Sequence, residues 1–321
     1  MELCTSSNIL FERSSGDYVK VEKSLAYIAK AGYRFVDFCF VDQVFTPLPS
    51  PFLTENWEAW VKEIRKRADS LGLQIAQCHL PIRDFCAKKT HPRDTEETMR
   101  RAIEACSILG VRVGVLHPST YISDRAQALL EKKKKFELSA SAADLAEMEE
   151  ALSRQIREDS LEKNVAYFKA LSHFARRFDL DLAIENMWGE AESHIKRYCV
   201  RPDELIELID TLDEAHVGIC WDTMHGSYEQ LDQREVLHQI SDRLLALHIS
   251  DEWGKNYIHR LPYTGRCAWS EVLDGLREIG FDGLFDFELQ HYLLDRPESD
   301  WDKALRQSYE LGSLMIQRIK G

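Results

Sequence analysis

Short apolar runs alternate with amphipathic helical segments eight times along this chain, and no linker separates one alternation from the next. Each run is bounded by turn residues or by a helical pattern and is almost wholly apolar, which is typical of buried parallel strands. No Gly-rich phosphate loop follows any run, which counts against a dinucleotide-binding sheet. The sequence therefore predicts an α/β fold, a closed (β/α)8 barrel. The predicted strands are Leu3–Leu10, Phe35–Phe40, Gln74–Cys78, Val111–Leu116, Asp181–Ile184, Val217–Trp221, Leu244–Leu247 and Gly283–Phe287.

The composition agrees with a single domain over residues 1–321, because 44% of the residues are hydrophobic and only 15 are Gly and 9 are Pro. A formal net charge of −13 argues against nucleic-acid binding, which normally uses a basic face. The chain has no membrane-length apolar run, and Met1–Thr5 shows no signal-peptide pattern. The eight cysteines include no Cys-x-x-Cys pair. We therefore expect a protein of the reducing cytoplasm that binds neither nucleic acid nor membrane.

One segment departs from the alternation. About forty charged residues, 119–159, separate the fourth strand from its expected helix, and they include the run Lys132–Lys135. Apolar residues nevertheless recur there at helical spacing: Leu145, Met148, Leu152 and Ile156. We predict a helical insertion after strand four, and a separate helix, Ser160–Phe178, after it. Because βα insertions lie over the active-site rim of a barrel, a lid or a homo-oligomer contact is expected. The lysine run alone is more typical of a solvated helix face than of a lid or subunit contact.

Four residues of metal-ligand types fall at or just past the ends of the last four strands: Glu185, Asp222, His248 and Glu288. Active sites of parallel barrels lie at that rim. A single acidic residue after a strand is usually a helix cap, but four such residues at successive strand ends predict a metal site. Three carboxylates and one imidazole suit one divalent ion, with Mn²⁺ expected first and Mg²⁺, Co²⁺ or Zn²⁺ as alternatives.

The local contexts of these four residues are Ala183-Ile-Glu185-Asn186, Trp221-Asp222-Thr-Met-His225, His248-Ile-Ser-Asp251 and Phe287-Glu288-Leu-Gln290. At these motifs the chain resembles the sugar isomerase/epimerase superfamily, the xylose-isomerase-like TIM barrels, which also contains the metal-dependent AP endonucleases. The resemblance covers nearly the whole chain outside the insertion. It implies that the four residues hold one divalent ion, and the motif order is far more specific for the superfamily than for a substrate.

The chemistry of the ligand set agrees with this. Octahedral coordination would leave two positions for vicinal oxygens of a ketose, and the ion would stabilise an enediolate as a proton leaves the adjacent carbon. The resemblance implies that Glu185 and Glu288 are also the bases, on opposite faces of the sugar. Return of the proton by the same carboxylate gives isomerisation, and return by the opposite one gives epimerisation. The predicted function is a metal-dependent isomerase or epimerase of keto-sugars or polyol-derived substrates.

Five further residues are predicted to contact the substrate: His79, His117, His225, Trp188 and Arg260. His79 and His117 end strands three and four, so both should face the same mouth. By the resemblance, His225 corresponds to a family residue that contacts the substrate. Alternatively, it orients one of the metal ligands. Trp188 would wall the pocket or pack under the insertion, and Arg260 would bind an anionic or hydroxyl-rich group or lie at the surface.

The segment from His259 to Gly265 resembles the family's loop after strand seven, often His-x-x-Pro-Gly-x-Gly, with Tyr263 in place of the first Gly. That replacement puts the backbone of the loop in question.

Three other functions stay open. A lyase would use the same enolisation but expel a β-substituent, as in an inosose-type dehydratase or the barrel subunit of a C-glycoside-cleaving complex. An AP endonuclease is more distant, because Tyr257 stands where its pattern needs an Asp and because the acidic balance opposes phosphate binding. A binding-only barrel is disfavoured by the intact ligand set.

Overall fold

A computed structural model describes residues 1–47, 49–87, 91–136, 139–190, 195–254 and 258–321. Tyr257, at which the sequence departs from the endonuclease pattern, lies outside these ranges. Among the described residues, none of the helices combines the length and the apolar character that a membrane-spanning segment requires.

Eight parallel strands form the predicted barrel, and each strand pairs with its neighbours in chain order. The first and last strands pair directly. The seventh and eighth meet at Ile249, whose amide donates to Asp286 O at 2.7 Å and whose carbonyl accepts from Glu288 N at 3.2 Å. The strands are β1 (Glu2–Ser6), β2 (Phe35–Cys39), β3 (Gln74–His79), β4 (Val113–Leu116), β5 (Asp181–Glu185), β6 (Val217–Asp222), β7 (Leu244–His248) and β8 (Leu284–Phe287).

The helices surround this barrel, and their apolar faces pack on the outer side of the strands. They are α1 (Val21–Ala31), α2 (Val41–Phe45), α3 (Trp57–Ser70), α4 (Glu96–Leu109), α5 (Asp124–Phe136), α6 (Ala142–Ala175), α7 (Pro202–Leu212), α8 (Thr223–Tyr228), α9 (Gln233–Ile240), α10 (Trp269–Glu278) and α11 (Glu298–Lys320). Short 3-10 turns cover Ser7–Leu10, Pro51–Leu53, Arg176–Phe178 and Ser241–Arg243. Gly32 ends α1 with a φ of 114°, a left-handed cap that glycine adopts without strain.

The two faces of each strand have different roles because side chains alternate along a strand. Leu182 and Ile184 of β5 belong to the large core between the barrel and the helices. Small residues on the opposite faces form a separate cluster inside the barrel: Val115, Ala183, Cys220 and Ala246. Glu185, Asp222 and His248 each follow one of these inward-facing residues by two positions. The pleat therefore directs all three toward the barrel axis at its C-terminal mouth.

The insertion segment contains α5 and the first half of α6. Leu152 and Ile156 are buried in a small core with Ala126 and Leu130 of α5 and with Ile195, while Leu145 and Met148 are half-buried. The prediction of a separate helix beginning at Ser160 is wrong, because α6 runs without a break from Ala142 to Ala175. No Gly or Pro interrupts it, and its apolar residues contact α5 first and the barrel core later.

The first strand is also shorter than predicted, because it ends at Ser6 and the chain turns through Ser7–Leu10. Ile9 and Leu10 are buried in the main core despite leaving the sheet. The Ser7 hydroxyl accepts a hydrogen bond from Cys39 N at 2.9 Å, which satisfies a backbone amide at the end of β2. An apolar pattern in the sequence does not show whether these residues are buried in a longer strand or in a 3-10 turn.

Candidate metal centre

The four predicted ligands meet at the C-terminal mouth of the barrel. Glu185, Asp222 and His248 are the last residues of β5, β6 and β7, and Glu288 directly follows β8. All four are buried, and one potential ligand atom from each lies within 4.8 Å of the others. His248 Nδ1 is 2.8 Å from Glu185 Oε1 and 3.4 Å from Glu288 Oε2.

This donor set fits a divalent cation. Among the described residues, neither Asp222 Oδ2 nor Glu288 Oε2, both buried, accepts a hydrogen bond. Buried oxygens normally have a partner, so these two are arranged for a group that supplies positive charge. Burial raises the pKa of Asp222 well above its usual value, and the nearby charges of Glu288 and Glu185 raise it further. A bound cation would relieve that repulsion.

Asp222 acts as a helix cap as well as lying in the ligand cluster. Its Oδ1 accepts a hydrogen bond from His225 N at 3.0 Å at the start of α8. Asn186 fixes the backbone of the same residue, because Asn186 Oδ1 accepts from Asp222 N at 2.6 Å and Nδ2 donates to Asp222 O at 3.1 Å. One carboxylate oxygen is thus used for capping, and the other remains directed at the cluster.

Asp37, which the sequence analysis did not identify, lies beneath His248. Its Oδ2 is 3.4 Å from His248 Nε2 and accepts a hydrogen bond from Gln77 Nε2 at 2.8 Å. Gln77 Nε2 also donates to Asp286 Oδ2 at 3.0 Å. A carboxylate behind the imidazole orients it so that Nδ1 faces the other ligands. The available signal was a charged residue inside the apolar run of β2.

A cavity of about 240 Å³ opens above the cluster. Of the four predicted ligands, only Glu185 and Glu288 are among the residues that line it. His79, His117, His225 and Trp188 line it as well, so four of the five predicted substrate contacts lie in one place. His117 Nε2 is 2.8 Å from Glu185 Oε2 and 3.2 Å from His79 Nε2.

The histidines of this cavity differ in protonation. Burial lowers the pKa of His225 to about 3, and its Nδ1 lies 2.7 Å from the Asn186 carbonyl oxygen. The ring is therefore neutral, with Nδ1–H donating and Nε2 left as an acceptor. Burial also opposes the charged form of His79, but its hydrogen bond and ion pair with Glu185 raise its pKa to about 9. Trp188 stacks on His225 with ring centroids 5.9 Å apart.

Arg260 does not line this cavity. It pairs through its backbone with Asp251 and lines a different cavity with Trp253 and Tyr292. Its neighbour His259 lines the metal-centre cavity instead, with Nδ1 3.3 Å from Glu288 Oε2. His259 has a φ of 48°, and this left-handed residue turns the imidazole toward Glu288. The sequence motif included His259, but the spacing alone did not show which of the two residues faces inward.

Tyr263 has a backbone conformation that glycine adopts more readily than other residues. Its φ is 67°, in the left-handed region that favours glycine, and its side chain is 52% exposed. The replacement therefore leaves the loop after β7 with a residue in a strained conformation and an aromatic ring at the surface.

Comparison with known proteins gives consistent matches. The sequence profile described as xylose isomerase-like TIM barrel matches residues 25–311. A D-psicose 3-epimerase from Enterocloster bolteae is 29% identical over 120 residues, which are 37% of this chain and only 36% of that enzyme. An uncharacterized protein from Methanocaldococcus jannaschii is 22% identical over 288 residues, covering 84% of this chain and 87% of its own.

Similarity to solved structures supports the fold. The crystal structure of a D-tagatose 3-epimerase-like protein superposes with a TM-score of 0.67 at 19% identity, covering 100% of this chain and 98% of that one. At this level of identity the likeness shows the shared barrel architecture.

Proposed function

Because the chain belongs to the xylose isomerase-like TIM barrel family, whose profile covers residues 25–311, we propose that it is a divalent-metal-dependent sugar epimerase or isomerase. The observation that carries the proposal is that Glu185 and Glu288 are the two members of the ligand cluster that also line the cavity. The names of the similar proteins, a D-psicose 3-epimerase and a D-tagatose 3-epimerase-like protein, favour epimerisation of a ketose.

Glu185, Asp222, His248 and Glu288 would hold the ion, with Mn²⁺ expected. A divalent ion held by these residues would supply Lewis-acid chemistry, that is, polarisation of the ketose carbonyl and stabilisation of the negative charge that develops when the adjacent C–H bond is broken. Asp222 and His248 do not line the cavity, so they would hold the ion without transferring a proton. Asp37 and Asn186 hold these two ligands in position.

Glu185 and Glu288 would transfer the proton. They come from β5 and the end of β8, so they approach the cavity from different parts of the barrel wall. One carboxylate takes the proton from the carbon next to the carbonyl, and the other returns a proton to the opposite face. Positive charge nearby keeps both ionised: burial opposes ionisation, but His248 and other histidines lower the pKa values of both groups.

The surrounding rings would bind the sugar. The neutral His225 presents an acceptor to a substrate hydroxyl, and His79 and His117 lie beside Glu185 where they can donate. Trp188, stacked on His225, provides an apolar face for the carbon skeleton of the sugar.

Deuterium exchange tests this function directly. The Mn²⁺-loaded protein is incubated in D2O with D-psicose, D-tagatose or D-fructose. The sugar should then incorporate solvent deuterium at the carbon next to its carbonyl group. Product formed without label would indicate internal hydride transfer instead. Loss of a β-substituent, detected in the same NMR spectra, would indicate the lyase. Metal analysis is part of the experiment, because three bound ions would favour the endonuclease.

Glu288→Gln should separate metal binding from proton transfer. The amide keeps an oxygen ligand but removes the base, so we expect retained metal and turnover reduced by roughly 10²–10⁴-fold. Glu162→Gln, the same change at an exposed position of α6, should have no effect. Near-normal turnover of Glu288→Gln would remove this residue from the proton-transfer role.

A further inference from the structure

A second, larger cavity adjoins the metal centre. Its volume is about 540 Å³, and it shares Ile82, His117, Met187 and Arg197 with the cavity of about 240 Å³ above the ligand cluster. Pockets for small molecules usually measure roughly 300–1,000 Å³, so the inner cavity alone is small for a binding site. The combined space would hold considerably more than one reacting sugar.

The outer cavity is formed by three βα loops and one helix, and the loop after β5 contributes Met187 and Arg197. The loop after β3 contributes residues from Ile82 to Ala87, and the loop after β4 contributes residues from His117 to Ile122. Asp124 and Gln127, from the first turns of α5, complete this wall. The insertion segment therefore lines the substrate side of the barrel mouth.

Buried polar contacts fix the loop after β4. Asn164 of α6 accepts a hydrogen bond from Ser119 N at 2.9 Å and donates to Ser119 O at 2.7 Å. The Ser160 hydroxyl accepts from Tyr121 N at 2.9 Å, and Thr120 Oγ1 accepts from Tyr198 N at 2.9 Å. Asn164 and Ser160 are completely buried. A wall held in this way is preorganised, which lowers the cost of binding a ligand against it.

The residues that line the outer cavity favour a neutral, hydroxyl-rich ligand. The acids Asp84 and Asp124 balance Arg83 and Arg197. Arg83 already has acidic partners, Asp94 at 3.3 Å and Glu96. An anionic group such as a phosphate would thus meet no net positive charge. The remaining lining offers hydroxyl and amide groups together with apolar side chains: Ser119, Thr120, Tyr121, Gln127, Ile122 and Met187.

We propose that the substrate is a glycoside, a keto-sugar that carries a second neutral sugar ring. The keto-sugar occupies the inner cavity, as the proposed function requires, and the second ring occupies the outer cavity against α5. Contacts far from the reacting carbon then contribute to the rate, because binding energy from a remote ring lowers the barrier at the metal centre.

Keto-disaccharides test the proposal. Deuterium exchange in D2O is compared for D-fructose, D-fructose 6-phosphate and three disaccharides in which fructose carries a second hexose: lactulose, maltulose and isomaltulose. We expect at least one disaccharide to exchange with a kcat/KM about 10-fold or more above that of D-fructose. Faster exchange of D-fructose or of its phosphate than of all three disaccharides would overturn the proposal while leaving the proposed function intact.

A matched pair of α5 variants locates the second ring. Gln127→Trp narrows the outer cavity, whereas Arg125→Trp adds the same side chain at an exposed position outside the lining. Gln127→Trp should reduce kcat/KM for the preferred disaccharide about 10-fold or more and leave D-fructose unchanged, and Arg125→Trp should change neither. An equal loss on both sugars, with fold and metal content intact, would contradict the assignment.

Failure of the proposed function can be distinguished from failure of this inference. If no keto-sugar exchanges deuterium, the proposed function is wrong. The assignment of the outer cavity is then tested by calorimetry, which measures the affinity of the three disaccharides for the metal-loaded protein and for Gln127→Trp. Affinity that is absent, or that Gln127→Trp leaves unaltered, would overturn the inference.

Discussion

Several residues of the candidate metal centre have two contacts that must be satisfied together. Asp222 caps α8 with one oxygen and directs the other at the ligand cluster. His248 faces Glu185 with Nδ1 and Asp37 with Nε2. From sequence alone, a helix cap and a metal ligand are alternatives for an acidic residue after a strand. In this geometry Asp222 is suited to both.

Asp37→Asn tests the support of His248. Loss of the charge behind the imidazole should weaken Mn²⁺ binding by roughly 10–100-fold, the usual effect of removing such a partner. Calorimetric titration of the metal-free protein measures this directly. Asp42→Asn is a matched control, because Asp42 is also a buried aspartate close to the cavity but is not placed behind His248. Equal affinities of wild type and Asp37→Asn would contradict the orienting role.

Asp42 should make stability depend on pH. Burial raises its pKa to about 8, whereas an aspartate in the unfolded chain titrates near ~4. Between these values the unfolded state is ionised and the folded state holds a proton. The stabilising contribution is therefore complete below about pH 4 and is lost as pH rises toward about 8.

Asp42→Asn removes this dependence. Its free energy of unfolding relative to wild type should increase from pH 5 to pH 8, by about 1.4 kcal/mol for each pH unit at most. Urea unfolding of the metal-free proteins at both pH values measures the difference. The exposed Asp282→Asn provides a control. A difference that stays constant with pH would show that Asp42 ionises normally in the folded protein.

At the scale of elements, local pattern predicted most of the barrel, because a buried strand and its following helix differ clearly in period. The ends of β5, β6 and β7 fall within one residue of the predicted ends, so the residues that meet at the barrel mouth could be selected from the sequence. The sequence did not predict that α6 is continuous. Capping residues indicate where a helix begins, but no local pattern shows that two apolar stripes lie on the same helix. Arg260 and His259 could not be separated, because a left-handed residue decides which side chain faces the cavity.

The attachment of the β4 loop to α6 has a measurable energetic consequence. Ser160→Ala should leave the part-buried Tyr121 N–H without its partner and cost about 1–3 kcal/mol of the free energy of unfolding. Ser153→Ala makes the same change at an exposed position of the same helix and should stay within about 0.5 kcal/mol of wild type. Urea denaturation compares the two variants. Similar stabilities would show that the loop does not depend on this contact.

The candidate metal centre joins elements that lie far apart in sequence. Its four residues come from the second half of the barrel, and Asp37 adds β2 from the first half. Three buried carboxylates in one cluster oppose folding unless positive charge compensates them. The net charge of −13 adds a general repulsion among acidic groups. The barrel without a cation should therefore be less stable than the barrel with one.

Divalent metal should raise the stability of the entire domain. A ligand that binds only the folded state stabilises it by about 2.7 kcal/mol when its free concentration is 100 times its Kd. We expect Mn²⁺ to raise the thermal midpoint of the metal-free protein and a chelator to reverse the change. Asp222→Asn, which preserves the capping oxygen but removes the charge, should largely abolish the shift. Asp181→Asn, at the opposite end of β5, should retain it. A full shift in Asp222→Asn would mean that the stabilising ion binds at another place.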